Sequence, residues 1–210
     1  MLTLPDNPVI TFIAPMYHNR PMIAYSLLEQ TYCNWRLLLI HDGPMDYEFK
    51  EGRDWQDRRI KFIVTKKHSG SKWGHPLRQL GLDYLAGRAM DEQLGDLVFQ
   101  ETTHVVISNA DNYHVPGFCE YMLKPFADDR TALTYCTQFA HNHQDWRIIP
   151  VEFMLGRIDC CCVVVEKELA IEVGWRSMEE ASDWTYIQDC ISKIKNHNYV
   201  PVTGCLVVHN

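Results

Sequence analysis

Short apolar runs alternate with amphipathic stretches along this chain, and that order is its strongest structural constraint. Val9–Ala14 (VITFIA), Trp35–Ile40 (WRLLLI), Arg59–Thr65 (RIKFIVT) and His104–Ser108 (HVVIS) have strand length and strand composition. Between them, Ile23, Leu27 and Leu28 recur at helical spacing behind Pro21, a residue suited to a first helical turn. His75–Met90 carries Leu77, Leu80, Leu82 and Leu85 in a second helical pattern. Strand, helix, strand, strand, helix, strand is the order that builds an α/β fold, a mostly parallel central sheet with helices on both faces. The runs LLLI and VVI lack polar alternation, as strands buried on both faces require.

Open sheets of this kind bind ligands beyond the carboxyl ends of their strands. That rule selects three turns, Pro15–Arg20, His41–Pro44 and Asn109–Asn112, which are expected to meet at one crevice. In the second half a helix is expected over Val115–Ala127. Strands are expected over Thr131–Phe139 and Ile158–Val165, antiparallel to the others. An amphipathic helix over Asp183–Asn196, with Ile187, Ile191 and Ile194 on one stripe, precedes a last strand over Tyr199–Val208. With no repeat, low-complexity tract or Gly/Ser linker in view, the expectation is one domain over residues 1–210.

A chain of 210 residues buries enough surface to stabilise its own core without staples. Its net charge of −7 argues against non-specific binding to nucleic acid or an anionic membrane. None of the eight cysteines stands in C-x-x-C spacing, which removes zinc-knuckle and thioredoxin-type readings. Cys160–Cys162 are expected as small buried thiols on a strand, pointing to alternate faces, in a reducing compartment. The N-terminal stretch has no basic n-region, and no apolar run reaches the roughly 18 residues of a spanning helix. The expectation is a cytoplasmic protein.

Several segments resemble glycosyltransferase family 2 of the GT-A fold. Pro15, Tyr17, Asn19-Arg20, Gln30-Thr31-Tyr32, Trp35 and His41-Asp42-Gly43 stand where that family has P-x-Y-N-R, Q-x-Y and W-E-L-I-I-V-D-D-G. GHPLRQLGLDYL is similar to its A-R-N-x-G-L helix, with Arg78-Gln79 at the R-N positions. VVISNADNYHVPGF resembles the stretch holding its DXD triplet, and VGWRSMEEASDWTYIQDCI the region ending in its E-D-W motif. Three departures stand out: Asn109 replaces the first aspartate of DXD, Gln79 replaces an asparagine, and Ser182 replaces the glutamate of E-D.

The resemblance implies a GT-A-like, Rossmann-type sandwich. Its nucleotide-binding half spans about 8–112 and its acceptor or catalytic half about 113–210. The implied activity is an inverting, metal-dependent transfer of a sugar from a nucleotide-sugar donor, UDP-linked by preference, to an acceptor that the sequence does not identify. Such transfer needs a cation to neutralise the departing diphosphate, a base for the acceptor hydroxyl and a nucleoside pocket. Asp111 is the first metal-ligand candidate and His209 the second; an imidazole in the set suits Mn2+ better than Mg2+. A turn of Asx residues around Asp111, and a frayed end at His209, are the plain alternatives.

Pro15, Tyr17 and Asp42 are implied contacts of the nucleoside, Arg78 of the diphosphate, and Asn109 and Ala110 belong to the same donor site. Asp183 is the implied base, although Ser182 or Asp183 would equally cap a helix, and Glu179 and Glu180 are substitutes. The basic loop KKHSGSKWGH (Lys66, Lys67, His68, Lys72, His75) is either a solvated loop or a cover for the diphosphate. The tract HNHQDW (His141–Trp146) could line an acceptor site. Two rivals stay open: a non-catalytic nucleotide- or sugar-binding module, and a sugar-phosphate nucleotidyltransferase, which would want a Gly-rich phosphate loop that Ala14–Arg20 lacks. The acidic net charge disfavours a nucleic-acid acceptor.

Overall fold

A computed structural model of the chain describes residues 7–17, 21–45, 57–70, 73–88, 101–195 and 198–210. The first half follows the expected alternation: β1 (Ile10–Met16), α1 (Met22–Leu28), β2 (Trp35–His41), β3 (Ile60–Val64), α2 (His75–Leu85) and β4 (His104–Ile107). α2 stops at Leu85, short of the expected Met90, because Gly87 follows its cap at φ 69°, the left-handed turn that ends helices. Residues 89 and 90 lie outside the described part. The second half adds β5 (Tyr113–His114), α3 (Phe118–Leu123), β6 (Leu133–His141), β7 (Arg147–Pro150), β8 (Val163–Glu166), α4 (Lys167–Val173), α5 (Ser182–Lys193) and β9 (Tyr199–His209).

The sheet order is β3-β2-β1-β4-β8-β6-β9-β5, with β7 paired to β6. β1 runs parallel to β2 and β4, β2 to β3, and β6 to β9. β8 is antiparallel to both of its neighbours, β4 and β6. β6 therefore keeps the direction of the first four strands, and the expected reversal belongs to β8 alone among these two. β8 is also shorter than expected. Cys160–Cys162 form a 3-10 turn, and Asp159 at its N-cap accepts from the Cys161 N–H at 2.8 Å. A turn, not a pleat, buries all three thiols. All eight cysteines are unpaired.

Helices cover both faces. Alternate residues of β1 point to opposite sides. Ile13 meets α2, where a Cβ at Gly81 would fall 2.4 Å from its Cγ2. Phe12 faces the other way, its ring 5.9 Å from that of Phe118 in α3. α2 also contacts α4, which in turn packs on α5.

Among the described residues four histidines are buried, His41, His75, His104 and His114, and the last three pack within the core. The ring of His104 lies 4.2 Å from that of Phe126, and His114 lies between Phe12 and Phe118 at 5.0 and 4.6 Å. His75 stacks on Trp175 at 5.8 Å. Burial disfavours the imidazolium and lowers the pKa of His104 to about 4 and of His114 to about 3. For His75 burial, then the nearby Arg78 charge, lowers it to about 4.

An unfolded histidine takes a proton near pH 6.5. Below that pH the unfolded chain therefore binds protons that the folded one refuses. The stability conferred by these sites is complete above about pH 6.5 and is lost as pH falls toward their folded values. Each histidine accounts for a slope of at most about 1.4 kcal/mol per pH unit in that window. Urea denaturation at neutral pH and near pH 5 should show this loss, and His104→Phe should lose less. An undiminished acid slope in the variant would refute the assignment.

Candidate active site

The three turns converge at the end of β1. The Met16 carbonyl accepts from Asp42 N–H at 3.2 Å, and the Pro15 carbonyl accepts from Ala110 N–H at 3.2 Å. β1 runs through Pro15 to Met16 instead of closing before it. The ladder with β4 ends at Ile13–Ile107, so the N–H that Pro15 lacks removes no bond from it.

Tyr17 and Asp42 sit together. Burial, then the Asp42 charge, raises the Tyr17 pKa, against Arg78 and hydrogen bonds with the Gly74 backbone and Ser69. Ser69 donates its N–H at 2.6 Å and its hydroxyl at 2.9 Å to the two Asp42 carboxylate oxygens. The part of the basic loop that is described therefore folds onto the turn after β2. Gly43 there holds φ 82°, and a Cβ on it would strike the His68 ring at 2.3 Å. His18, Asn19, Arg20 and Lys72 lie outside the described residues.

Arg78, in the first turn of α2, is buried and spans the gap to the turn after β4. Its Nη2 donates to Asn109 Oδ1 at 2.5 Å, and its Nη1 donates to the Trp73 carbonyl. Its guanidinium lies 4.9 Å from the centre of the Trp175 ring. A guanidinium only donates, so the carbonyl oxygen of Asn109 is committed to Arg78. Asn109 thus holds the Arg78 guanidinium in place.

Asp183, in the first turn of α5, faces Asp159. Ligand atoms of Asp159, Cys160 and Asp183 lie within 4.8 Å of one another, and the two carboxyl groups are partly open to solvent. Neither Ser182 nor Asp183 caps α5; the cap position is Ala181. His209 Nε2 approaches Asp159 Oδ2 at 3.2 Å. Two carboxyl groups this close oppose each other's ionisation. Burial and the Asp159 charge raise the Asp183 pKa. Burial would also raise that of Asp159, but the His209 charge and hydrogen bonds from His209, Asp183 and Cys161 outweigh it and lower it. Burial opposes the charge on His209, yet Asp159, Asp183 and Asp111 together raise its pKa. Of the two carboxyl groups, Asp183 is the one whose protonated form is favoured.

His209 is the last residue of β9, in register with His141 of β6, and the two rings lie 4.5 Å apart. Asn210 N–H donates to Asn112 Oδ1 at 3.2 Å, which ties the end of β9 to the turn holding the exposed Asp111. Of the tract His141–Trp146, Asn142 donates to Asn210 and Trp146 is exposed. The side chain of His143 lies outside the described part. Glu179 and Glu180 are exposed and outside the acidic cluster. The residues present suit a divalent cation: the buried His209 Nδ1 has no hydrogen-bond partner, and Asp111 bears on the same imidazole.

Pro15, Tyr17, Asp42, Asn109, Ala110 and Asp111 thus stand at the carboxyl ends of β1, β2 and β4, with Arg78 on α2, Asp183 on α5 and His209 on β9 beside them. Asp159 was not among the residues singled out from the sequence. It falls inside the stretch expected as a strand, Ile158–Val165, and its only signal was the preference of Asp for the N-cap of a turn.

Solved structures share this fold. S. aureus TarS 1–349 superposes with a TM-score of 0.70 at 10% identity, covering 97% of this chain and 60% of that one. GalNAc-T7 with UDP, GalNAc and Mn2+ gives a TM-score of 0.65 at 11% identity over 98% of this chain and 44% of that one. The architecture is that of GT-A glycosyltransferases. The profile of glycosyl transferase family 2 matches residues 11–201, and the chain belongs to that family. A stretch of 86 residues is 30% identical to the Escherichia coli UDP-Glc:alpha-D-GlcNAc-diphosphoundecaprenol beta-1,3-glucosyltransferase WfgD. That stretch is 40% of this chain and 33% of WfgD. Among the described residues no helix is long and apolar enough to cross a membrane.

Proposed function

We propose that this chain is an inverting, metal-dependent glycosyltransferase that uses a UDP-linked sugar. The observation that carries the reading is the meeting of Tyr17, Asp42 and Arg78 with an acidic pair, Asp159–Asp183, of which Asp183 has the raised pKa. Tyr17 offers a ring to the base. Asp42 offers carboxylate oxygens to imide N–H or ribose hydroxyl groups, in place of its present bonds to Ser69. Arg78 supplies a fixed positive charge beside the diphosphate. Asp111 and His209 would hold the divalent cation, Mn2+ in preference to Mg2+, and when bound it supplies Lewis acidity for the leaving diphosphate.

Asp183 takes the acceptor's proton. A carboxylate with a raised pKa is a stronger base, matched to work near neutral pH, and Arg78 lowers the cost of its ionised form. Direct attack at the anomeric carbon then inverts it. Related folds have been solved with UDP-GlcNAc, and with UDP, GalNAc and Mn2+, which supports the donor and cation classes. Calorimetric titration of the protein with UDP, with and without Mn2+, should show binding that the metal strengthens. Slow hydrolysis of a UDP-sugar should accompany it. Binding without turnover across a donor and acceptor panel would instead support a non-catalytic module. Turnover of a nucleoside triphosphate with a sugar phosphate would support a nucleotidyltransferase.

A further inference from the structure

The start of α5 is joined to α2 through one buried imidazole. Ser182 stands where the family resemblance places a glutamate, and its side chain turns inward. Ser182 Oγ lies 3.0 Å from His75 Nε2, and it also donates to the Glu179 carbonyl. His75 Nδ1 lies 3.2 Å from Arg78 Nη1 and also 3.2 Å from the same Ser182 Oγ.

Ser182 Oγ lies near both ring nitrogens, so it is the Arg78 contact that selects a tautomer. The guanidinium can only donate, so Nδ1 must present its lone pair to Arg78. The single ring proton then sits on Nε2, aimed at Ser182 Oγ, with the Glu179 carbonyl as a further acceptor. A second proton would place an N–H against the Arg78 guanidinium, and the lowered pKa of His75 agrees with its exclusion. The ring is clamped flat on Trp175, with an interplanar angle of 21°. Trp175 in turn stacks on Tyr186 of α5 at 5.3 Å and donates its backbone N–H to Gln79 of α2 at 2.6 Å.

We propose that His75 is a positioning residue, a neutral bridge that holds Arg78 at the donor turns in fixed relation to Asp183, the residue next to Ser182. This rests on Asp183 acting as the base. The imidazole itself touches no reacting atom. It links the residue that faces the leaving diphosphate to the helix that carries the base, and misplacement on the scale of an ångström costs about 100-fold in rate.

Two measurements test it. In the wild-type protein at neutral pH, nitrogen-15 NMR of His75 should show the Nε2–H neutral tautomer. An Nδ1–H or doubly protonated ring overturns the proposal even in an active enzyme. In kinetics of UDP-GlcNAc hydrolysis with Mn2+, His75→Phe keeps the stacking but removes both hydrogen bonds. It should lower kcat by about 10- to 100-fold while KM moves less than about threefold. His75→Gln, which can still accept from Arg78 and donate toward Ser182, should recover most of the loss. Equal losses in the two variants, or none in His75→Phe, overturn it. An inactive wild-type protein with the Nε2–H tautomer would count against the transferase reading, while the bridge from Arg78 to α5 would still be supported.

Discussion

Replacing Asp183 by Asn should leave UDP binding nearly intact and lower sugar transfer by about 10²- to 10⁴-fold. The resting state explains why the fold should tolerate the change. Asp183 shares a hydrogen bond with Asp159, donated by Asp183 when it holds the proton. An amide N–H can make the same donation from the same place, so Asp159 keeps its partner and His209 keeps its counter-charge. Only the capacity to accept a proton is removed. Calorimetry with UDP and Mn2+, paired with donor hydrolysis or transfer rates, separates the two properties. A variant that lost nucleotide affinity along with rate would move Asp183 from base to binding residue.

For Asp111→Ala, the UDP affinity gained from Mn2+ should fall by about tenfold or more, within the range seen when metal sites lose supporting groups. Asp111 is exposed, so its removal opens no cavity and should change stability by no more than about 0.5 kcal/mol. Loss of binding therefore would not be a folding defect, and denaturation midpoints check that point. UDP affinity without metal should change little. If the Mn2+ response of the variant equalled that of the wild type, Asp111 would not be a ligand, and the cation would have to rest on other groups.

The two variants probe opposite ends of one charge network. His209 responds to Asp159, Asp183 and Asp111, so the proposed cation site and the proposed base are electrostatically joined. Asn109 fits this picture as well. With a neutral side chain at the first DXD position, Arg78 is held by a carbonyl oxygen and keeps its full charge for the donor.

The first half of the fold was legible because its strands are buried on both faces. Continuous apolar runs such as Leu37–Ile40 and Val105–Ile107 leave no other stable placement. The carboxyl-end rule selected the turns that hold Tyr17, Asp42 and Asp111, and backbone bonds from Asp42 to Met16 and from Ala110 to Pro15 join those turns at the end of β1. The second half resisted the same reading. β5 is two residues long and β7 four, too short to show a period. At Cys160–Cys162 an apolar run was equally compatible with strand and buried turn, and the Asp159 carboxylate decided for the turn.

Local pattern alone thus determined the element order, the burial of β1, β2 and β4, and the turns that would face a ligand. It did so because burial and turn chemistry act over a few residues. The protonation of the site was decided elsewhere. Asp159, Asp183 and His209 are far apart along the chain, and each shifts the others only because β9 and α5 bring them within hydrogen-bond or ion-pair reach. Coulomb interactions depend on separation in space and on the surrounding dielectric, and the tertiary structure sets both.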